Sequence, residues 1–218
     1  GAKHYFVDNP GDHIVNINDY DEAFPLNHKI THTIVEIPDS LIEAILLFYL
    51  NVGIRYERGF VNNHNSMLIH VSRFTDVHVQ VRNKVENFVH DLNRSIKTRG
   101  GLFYPFDNDD LLLQLHAVYL KYFPDFTIEF TKILNRLVIV LDAFLVKDIH
   151  SKTKTPLVYR THVPINAIVI GGRIPINYVS AVSGDTYIWR ELSPTSFMGV
   201  SGGAPIDSST IATATPQY

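Results

Sequence analysis

The chain has no cysteine among its 218 residues, which excludes disulfides and thiolate metal sites and leans toward a reducing, cytoplasmic setting. It also lacks a basic excess, since 19 Lys and Arg stand against 22 Asp and Glu for a formal net charge of −3 with neutral histidine. No broad positive field advertises nucleic acid or an anionic membrane; any such contact must be local. Long apolar runs are missing too. Leu41 to Leu50 and Leu137 to Val146 are interrupted or bounded by Glu43, Asn51, Arg136 and Asp142, short of what about 30 Å of hydrocarbon requires, so no membrane contact is expected. The chain opens on Gly1-Ala2 without Met or a signal-peptide pattern, which reads as a start inside a longer protein.

Several catalytic signatures are absent as well. No Gly-x-x-x-x-Gly-Lys-Ser/Thr stretch occurs, so this chain cannot by itself be an ordinary P-loop nucleotide hydrolase. Asp21-Glu22-Ala23-Phe24 resembles a magnesium motif of helicases only superficially, having neither that loop nor a buried strand before it. Eleven histidines invite a metal, but His28 with His32, or His64 with His70, have no third ligand at a recognisable spacing and no His-Glu-x-x-His occurs; no metal site is expected. Asp125, Glu129 and Lys132 have the wrong spacing for a metal-dependent nuclease motif and fall in an expected helix. No Gly-x-Ser-x-Gly elbow is present.

What is present is an ordinary globular composition, 45% hydrophobic and 19% charged, enough for one domain with a proper core. Residues 1–38 are turn-rich and read as a connector. Ser40 and Glu43 have capping-box spacing before an apolar helix of about 41–58, closed by Gly59. It is apolar nearly all round, so it should be sandwiched between other elements. Met67 to Val71 suits a central parallel strand. Thr75 or Asp76 can cap the next helix, whose Val77, Val81, Val85, Phe88, Val89, Leu92 and Ile96 recur at spacings of three and four until Gly100-Gly101.

Asp109 or Asp110 opens a helix to about Tyr122, and Pro124-Asp125 starts a fourth to about Asn135. Leu137 to Val146, rich in Val and Ile, favours a strand. Asn166 to Ile170, ending at Gly171-Gly172, is a second buried-strand signature. Two such strands with helices between them predict an α/β doubly wound, mainly parallel sheet with flanking helices, in which ligands sit outside the strands' carboxyl ends. Residues 179–218 carry no period and read as a diverged or poorly ordered tail after an α/β domain of 39–178.

Ser72, Arg73 and Thr75 follow the first strand directly, where a hydroxyl, a guanidinium and the amides of a helix start can hold one phosphate group. The commoner role of the same residues is a capped helix beside a solvated cation. Gly171, Gly172 and Arg173 form a second candidate at the same sheet edge, because two glycines after a strand let backbone approach a ligand closely; the plainer reading is a tight turn with a surface arginine.

The runs from Ile37 to Ile45 (Ile-Pro-Asp-Ser-Leu-Ile-Glu-Ala-Ile) and from His64 to Val77 (His-Asn-Ser-Met-Leu-Ile-His-Val-Ser-Arg-Phe-Thr-Asp-Val) closely resemble the Z-one domain family. Its members are described as candidate endonucleases, found beside restriction and defence genes, and look like superfamily-two helicases. The resemblance covers about residues 1–172 and includes the Asn9-Pro10-Gly11-Asp12 turn. It implies a RecA-like fold of the carboxyl-terminal helicase-lobe type, incomplete here, in which Ser72 and Arg73 would touch a DNA backbone phosphate as in helicase motif four. Gly171-Gly172 would begin motif five, which couples nucleotide to nucleic acid.

The departures qualify this. The Ser-Arg-Gly-Leu-Thr type sequence expected after Gly172 and the later arginine-finger motif are not in the sequence. The resemblance thus implies an accessory lobe of a restriction or defence ATPase or endonuclease, with ATP and Mg held by a missing ATP-binding lobe of the parent and DNA as partner. A non-catalytic structural or protein-interaction domain is the alternative.

Overall fold

The computed structural model describes residues 15, 17–102, 108–150, 153, 157–160 and 163–171, together with the backbone of strands between 180 and 201. Four helices, α1 (Asp39–Glu57), α2 (Thr75–Arg99), α3 (Asp110–Tyr122) and α4 (Phe130–Val140), accompany a mixed α/β arrangement in which β1 (Asn65–Ile69), β2 (Phe144–Ile149) and β3 (Asn166–Gly171) form an open parallel sheet. The strand order is β1-β3-β2. Three further strands, β4 (Ser180–Val182), β5 (Asp185–Ser193) and β6 (Ser196–Ser201), form a separate antiparallel sheet.

The middle strand is β3, and every residue of it is buried. β1, expected at the centre, pairs with β3 alone among the described strands, and its Ser66 and Leu68 remain partly accessible on one face. Two buried asparagines fix the pairing at the strands' amino ends: Asn65 Nδ2 donates to Asn166 Oδ1 at 2.8 Å. A one-residue slip would separate them and turn each apolar side chain to the opposite face.

The helices occupy one face. Ile69, Ile168 and Ile170 join the buried faces of α1 to α4 in one core, with Met67, Phe144 and Val146 packed against it. The other face gathers Ala167, Val169 and Ile149 beneath Leu145, Leu157 and Ile165. Sandwiching of α1 is as its all-round apolarity requires: Tyr49 stacks on Phe144 of the sheet at 4.0 Å between ring centroids, while Gly53 meets Ile133 and Leu137 of α4.

Helix ends differ instructively from the sequence expectation. At α1 no capping box forms; Ser40 instead donates its hydroxyl and amide to the Asp19 carboxylate at 2.6 and 2.9 Å. Glu43, freed from that role, accepts from Lys121 and Tyr122 of α3. Asp19 supplies from a distant segment what a local cap would have supplied. The other end of α1 closes as expected, because Gly59 takes a φ of +90° and the Gly59 and Phe60 amides bond back to Tyr56 and Arg55, the pairing of a Schellman motif.

Asp109 caps α3 through the Leu112 amide at 3.0 Å. α4 begins at Phe130, not near Asp125, and runs to Val140. A 3-10 turn at Leu141–Ala143 then hands the chain to β2. The Val and Ile residues read as strand are thus divided between a helix and a strand. Burial of Ile133, Leu134, Leu137 and Val140 at helical spacing outweighs the β preference of the same run.

Residues 17–37 contain neither helix nor strand, yet Ala23, Phe24 and Ile34 are buried in the main core. Gln80 of α2 holds this segment from both sides, accepting from the Ile34 amide at 2.8 Å and donating to the His32 carbonyl at 2.9 Å. The connector is packed against the start of α2.

Candidate functional site

The carboxyl ends of β1 and β3 lead to the region where α2 begins, the position in a parallel sheet where ligands are usually held. Arg73 is exposed there, and its guanidinium lies 4.9 Å from the Phe74 ring centroid, a cation–π arrangement that keeps the charge beside the helix start. α2 has no side-chain cap, and its first intrahelical bond is His78 N–H to the Phe74 carbonyl at 3.1 Å. The first-turn amides therefore carry the partial positive charge of a 25-residue helix, with no side chain hydrogen-bonded to them as a cap. Asp76 in the same turn opposes an anion.

Thr75 does not cap, contrary to the simplest reading of the sequence. Ser72 takes that place in part, accepting the Phe74 amide at 3.1 Å. It is 6% exposed, far more enclosed than a phosphate-facing hydroxyl was expected to be. His28 from the connector reaches it: His28 Nε2 is 2.8 Å from Ser72 Oγ, and His28 Nδ1 is 2.7 Å from the Pro25 carbonyl. His78 donates from the other side, Nε2 to the Ser72 carbonyl at 2.6 Å. Burial pushes the His78 imidazole below its ordinary value, with the hydrogen bond to Ser72 opposing and His70 and His150 adding to the fall. Its Nδ1 is buried without a hydrogen-bond partner among the described residues.

A second group of polar side chains sits at the ends of β2 and β3. Asp148 Oδ2 lies 3.2 Å from His150 Nε2 and Asp148 Oδ1 lies 3.7 Å from Arg82 Nε of α2, while His70 Nδ1 donates to the Gly171 carbonyl at 2.7 Å. Gly171 closes β3 as expected and stands beside the end of β1; Gly172 and Arg173 lie outside the described residues. Among the described residues no three His, Asp or Glu side chains are grouped to hold a metal ion, and no helix is long and apolar enough to cross a membrane.

The structure therefore places Ser72 and Arg73 on the loop that leads into Thr75 at the start of α2 and brings His28 and His78 to Ser72, with Arg82, Asp148 and His150 grouped at the strand ends; the sequence weighed His28 only as a metal-ligand pair with His32 and singled out none of the others. His28 and Ser72 are separated by 44 positions. Only the periodicity of α2, with His78 one residue after Val77 on its buried face, could have hinted that one of these histidines is interior.

A family model, the Z1 domain, matches residues 40–174, more than half of the chain. The chain belongs to the Z1 domain family. The matched span runs from the first turn of α1 past the end of β3 and includes the loop with Ser72 and Arg73; His28 and β4 to β6 fall outside it. No curated protein and no solved structure matches the chain.

A pH dependence of stability follows from one buried and two half-buried imidazoles of this Z1 chain. His64, His78 and His116 are all held below the ordinary value of 6.5, each chiefly by burial. The unfolded chain then binds more protons, so their contribution is complete above that value and is lost as pH falls through it toward the lowered folded values. Urea midpoints measured from about pH 7.5 down to about pH 5.5 should decline steadily across this window. A midpoint that rises toward acid would contradict the burial of these rings.

Proposed function

We propose that this Z1 chain is a nucleic-acid-contacting accessory lobe of a helicase-like ATPase or endonuclease of the restriction or defence type, with a RecA-like lineage for its parallel sheet. The observation that carries the reading is Arg73: an exposed guanidinium fixed on Phe74 at the carboxyl end of a parallel strand, directly before the uncapped start of a long helix. Guanidinium and helix amides are the two commonest phosphate holders, and together they suit a single backbone phosphate of DNA. Family membership and the resemblance of the Ser72-Arg73 loop to helicase motif four support the same role.

The sequence offers no loop for the triphosphate, so no ATP or magnesium chemistry is assigned to residues of this chain. Those belong, in this reading, to another lobe of the parent assembly. Gly171 stands at the adjacent strand end, where motif five would begin.

Arg73→Ala should weaken binding of the 218-residue chain to single-stranded or duplex DNA by about tenfold at low salt, the loss of one charge-assisted hydrogen bond. The loss should be similar for all sequences, and the slope of log affinity against log salt should fall by about 0.7 to 0.9. Equal affinities for the native chain and the variant, or no DNA binding by either at low salt, would remove the reading.

A structural or protein-interaction role is the second reading, and one observation favours it. The Ser72 hydroxyl is wholly engaged inside the protein by His28 and Phe74, as expected of a loop that only holds the connector in place. The DNA measurement separates the two.

A further inference from the structure

We propose that residues 19–40 form a latched flap that lifts off the start of α2 while the rest of the fold stays intact, with Gln80 as the latch, and that its opening uncovers Ser72. Nothing in this requires DNA to bind. Residues 19–39 lie outside the span that matches the Z1 domain, so the flap is an addition to the matched pattern.

The two ends of the segment are pinned together. The Asp19 carboxylate accepts the Ser40 hydroxyl at 2.6 Å and the Ser40 amide at 2.9 Å, which fixes residue 19 at the first turn of α1. Between these ends the chain bonds to itself. The Phe24 amide donates to the Tyr20 carbonyl at 2.6 Å, the His28 amide to that of Pro25 at 2.9 Å and the His32 amide to that of Lys29 at 3.0 Å. His32 Nε2 reaches back to the Ala23 carbonyl at 2.8 Å. These bonds are kept when the segment lifts, so it moves as one body.

What the flap gives up on lifting is small and concentrated. Of residues 17–37 only Ala23, Phe24 and Ile34 are buried, whereas every residue of β3 is. Its polar holds on the body of the fold include His28 with Ser72 at 2.8 Å and both bonds of Gln80, to the Ile34 amide at 2.8 Å and the His32 carbonyl at 2.9 Å. One side chain thus satisfies a donor and an acceptor of the flap backbone, groups that water takes over once the flap lifts. A segment with neither helix nor strand and so little buried surface opens at a lower free energy than the helices and sheet beneath it. With the flap lifted, Ser72 loses His28 and keeps the Phe74 amide, and a residue only 6% exposed in the closed form meets solvent.

The chain contains no cysteine, so single cysteines report opening through their rate of reaction with iodoacetamide. Ala23→Cys probes the flap and Ser72→Cys the residue it covers. Val89→Cys, a buried position of α2 roughly two and a half turns beyond Gln80, reports unfolding of the whole chain. Ala23→Cys and Ser72→Cys should react at least about tenfold faster than Val89→Cys. Their rates should also respond weakly to low urea, because little surface is exposed, while that of Val89→Cys rises steeply. Adding Gln80→Ala should quicken both by about tenfold. An Ala23→Cys rate as slow and as urea-dependent as that of Val89→Cys overturns the flap. The same behaviour in Ser72→Cys alone overturns its cover over Ser72, and no response to Gln80→Ala overturns the latch. Amide exchange in the native chain tests the flap without any variant: the Ile34 amide should exchange through a smaller opening than the Leu92 amide of α2, and exchange of the two in step overturns the proposal.

Discussion

Gly53→Val is expected to lower stability by about 3 kcal/mol or more, enough to leave much of the chain unfolded. Gly53 sits where α1 and α4 cross. A Cβ there would lie 2.6 Å from Ile133 Cγ2, 3.1 Å from the Ile133 carbonyl oxygen and 3.2 Å from Leu137 Cγ. Ile133 and Leu137 are themselves fully buried, so neither can move into open space, and the nearby carbonyl belongs to the backbone of α4. Alanine is the informative intermediate. It gains about 1 kcal/mol of helix propensity over glycine, yet must still push the helices apart, so a net loss of about 1 to 2 kcal/mol is expected. Denaturant midpoints for the two variants test this. A valine variant as stable as the native chain would mean that α1 and α4 do not meet at this residue.

Tyr49→Ala should cost about 4 kcal/mol, in the range of other large buried aromatic truncations. Tyr49 is completely buried, and its ring stacks on Phe144 at 4.0 Å. Its hydroxyl donates to Asn93 Oδ1 of α2 at 2.8 Å. One side chain therefore ties α1 to the first residue of β2 and to the carboxyl-terminal half of α2, and burial pushes its phenol well above the usual tyrosine range. Tyr49→Phe separates the two contributions. It keeps the stacking and leaves Asn93 without its donor, for which about 1 to 2 kcal/mol is expected. If phenylalanine costs as much as alanine, the stacking contributes nothing and the packing account is wrong. Both variants lie away from the Ser72 loop, so at temperatures where they remain folded their DNA affinity should match that of the native chain.

The four helices differed in how openly the sequence announced them. α2 was legible almost to the residue because seven apolar positions repeat at spacings of three and four and a glycine pair ends them. α3 was legible because Asp109, one of the two residues read as able to open it, forms a local cap. α4 was displaced by about five residues: Pro124-Asp125 carries a start signal that the chain uses only as a turn. The run from Leu137 was divided between helix and strand, since local β preference and helical burial conflict there and burial has the larger energy. Ser40 and Glu43 had the right spacing for a capping box, but Asp19 competes for one and Lys121 with Tyr122 for the other. Such competitors are invisible at capping distance in the sequence.

For the candidate site, the sequence by itself determined a strand, a short loop with Ser72 and Arg73, and a long helix, because apolar periodicity and the position of polar residues at its break are local properties. It also determined membership of the Z1 domain family. Only the tertiary structure decided that β3 and not β1 is the middle strand, that Ser72 is enclosed, and that His28 and His78 bond to it. Those facts depend on contacts between segments tens of residues apart, formed when the connector folds over the start of α2 and the strands pair out of chain order. Hydrogen bonding and burial there answer to geometry that no spacing along the chain encodes.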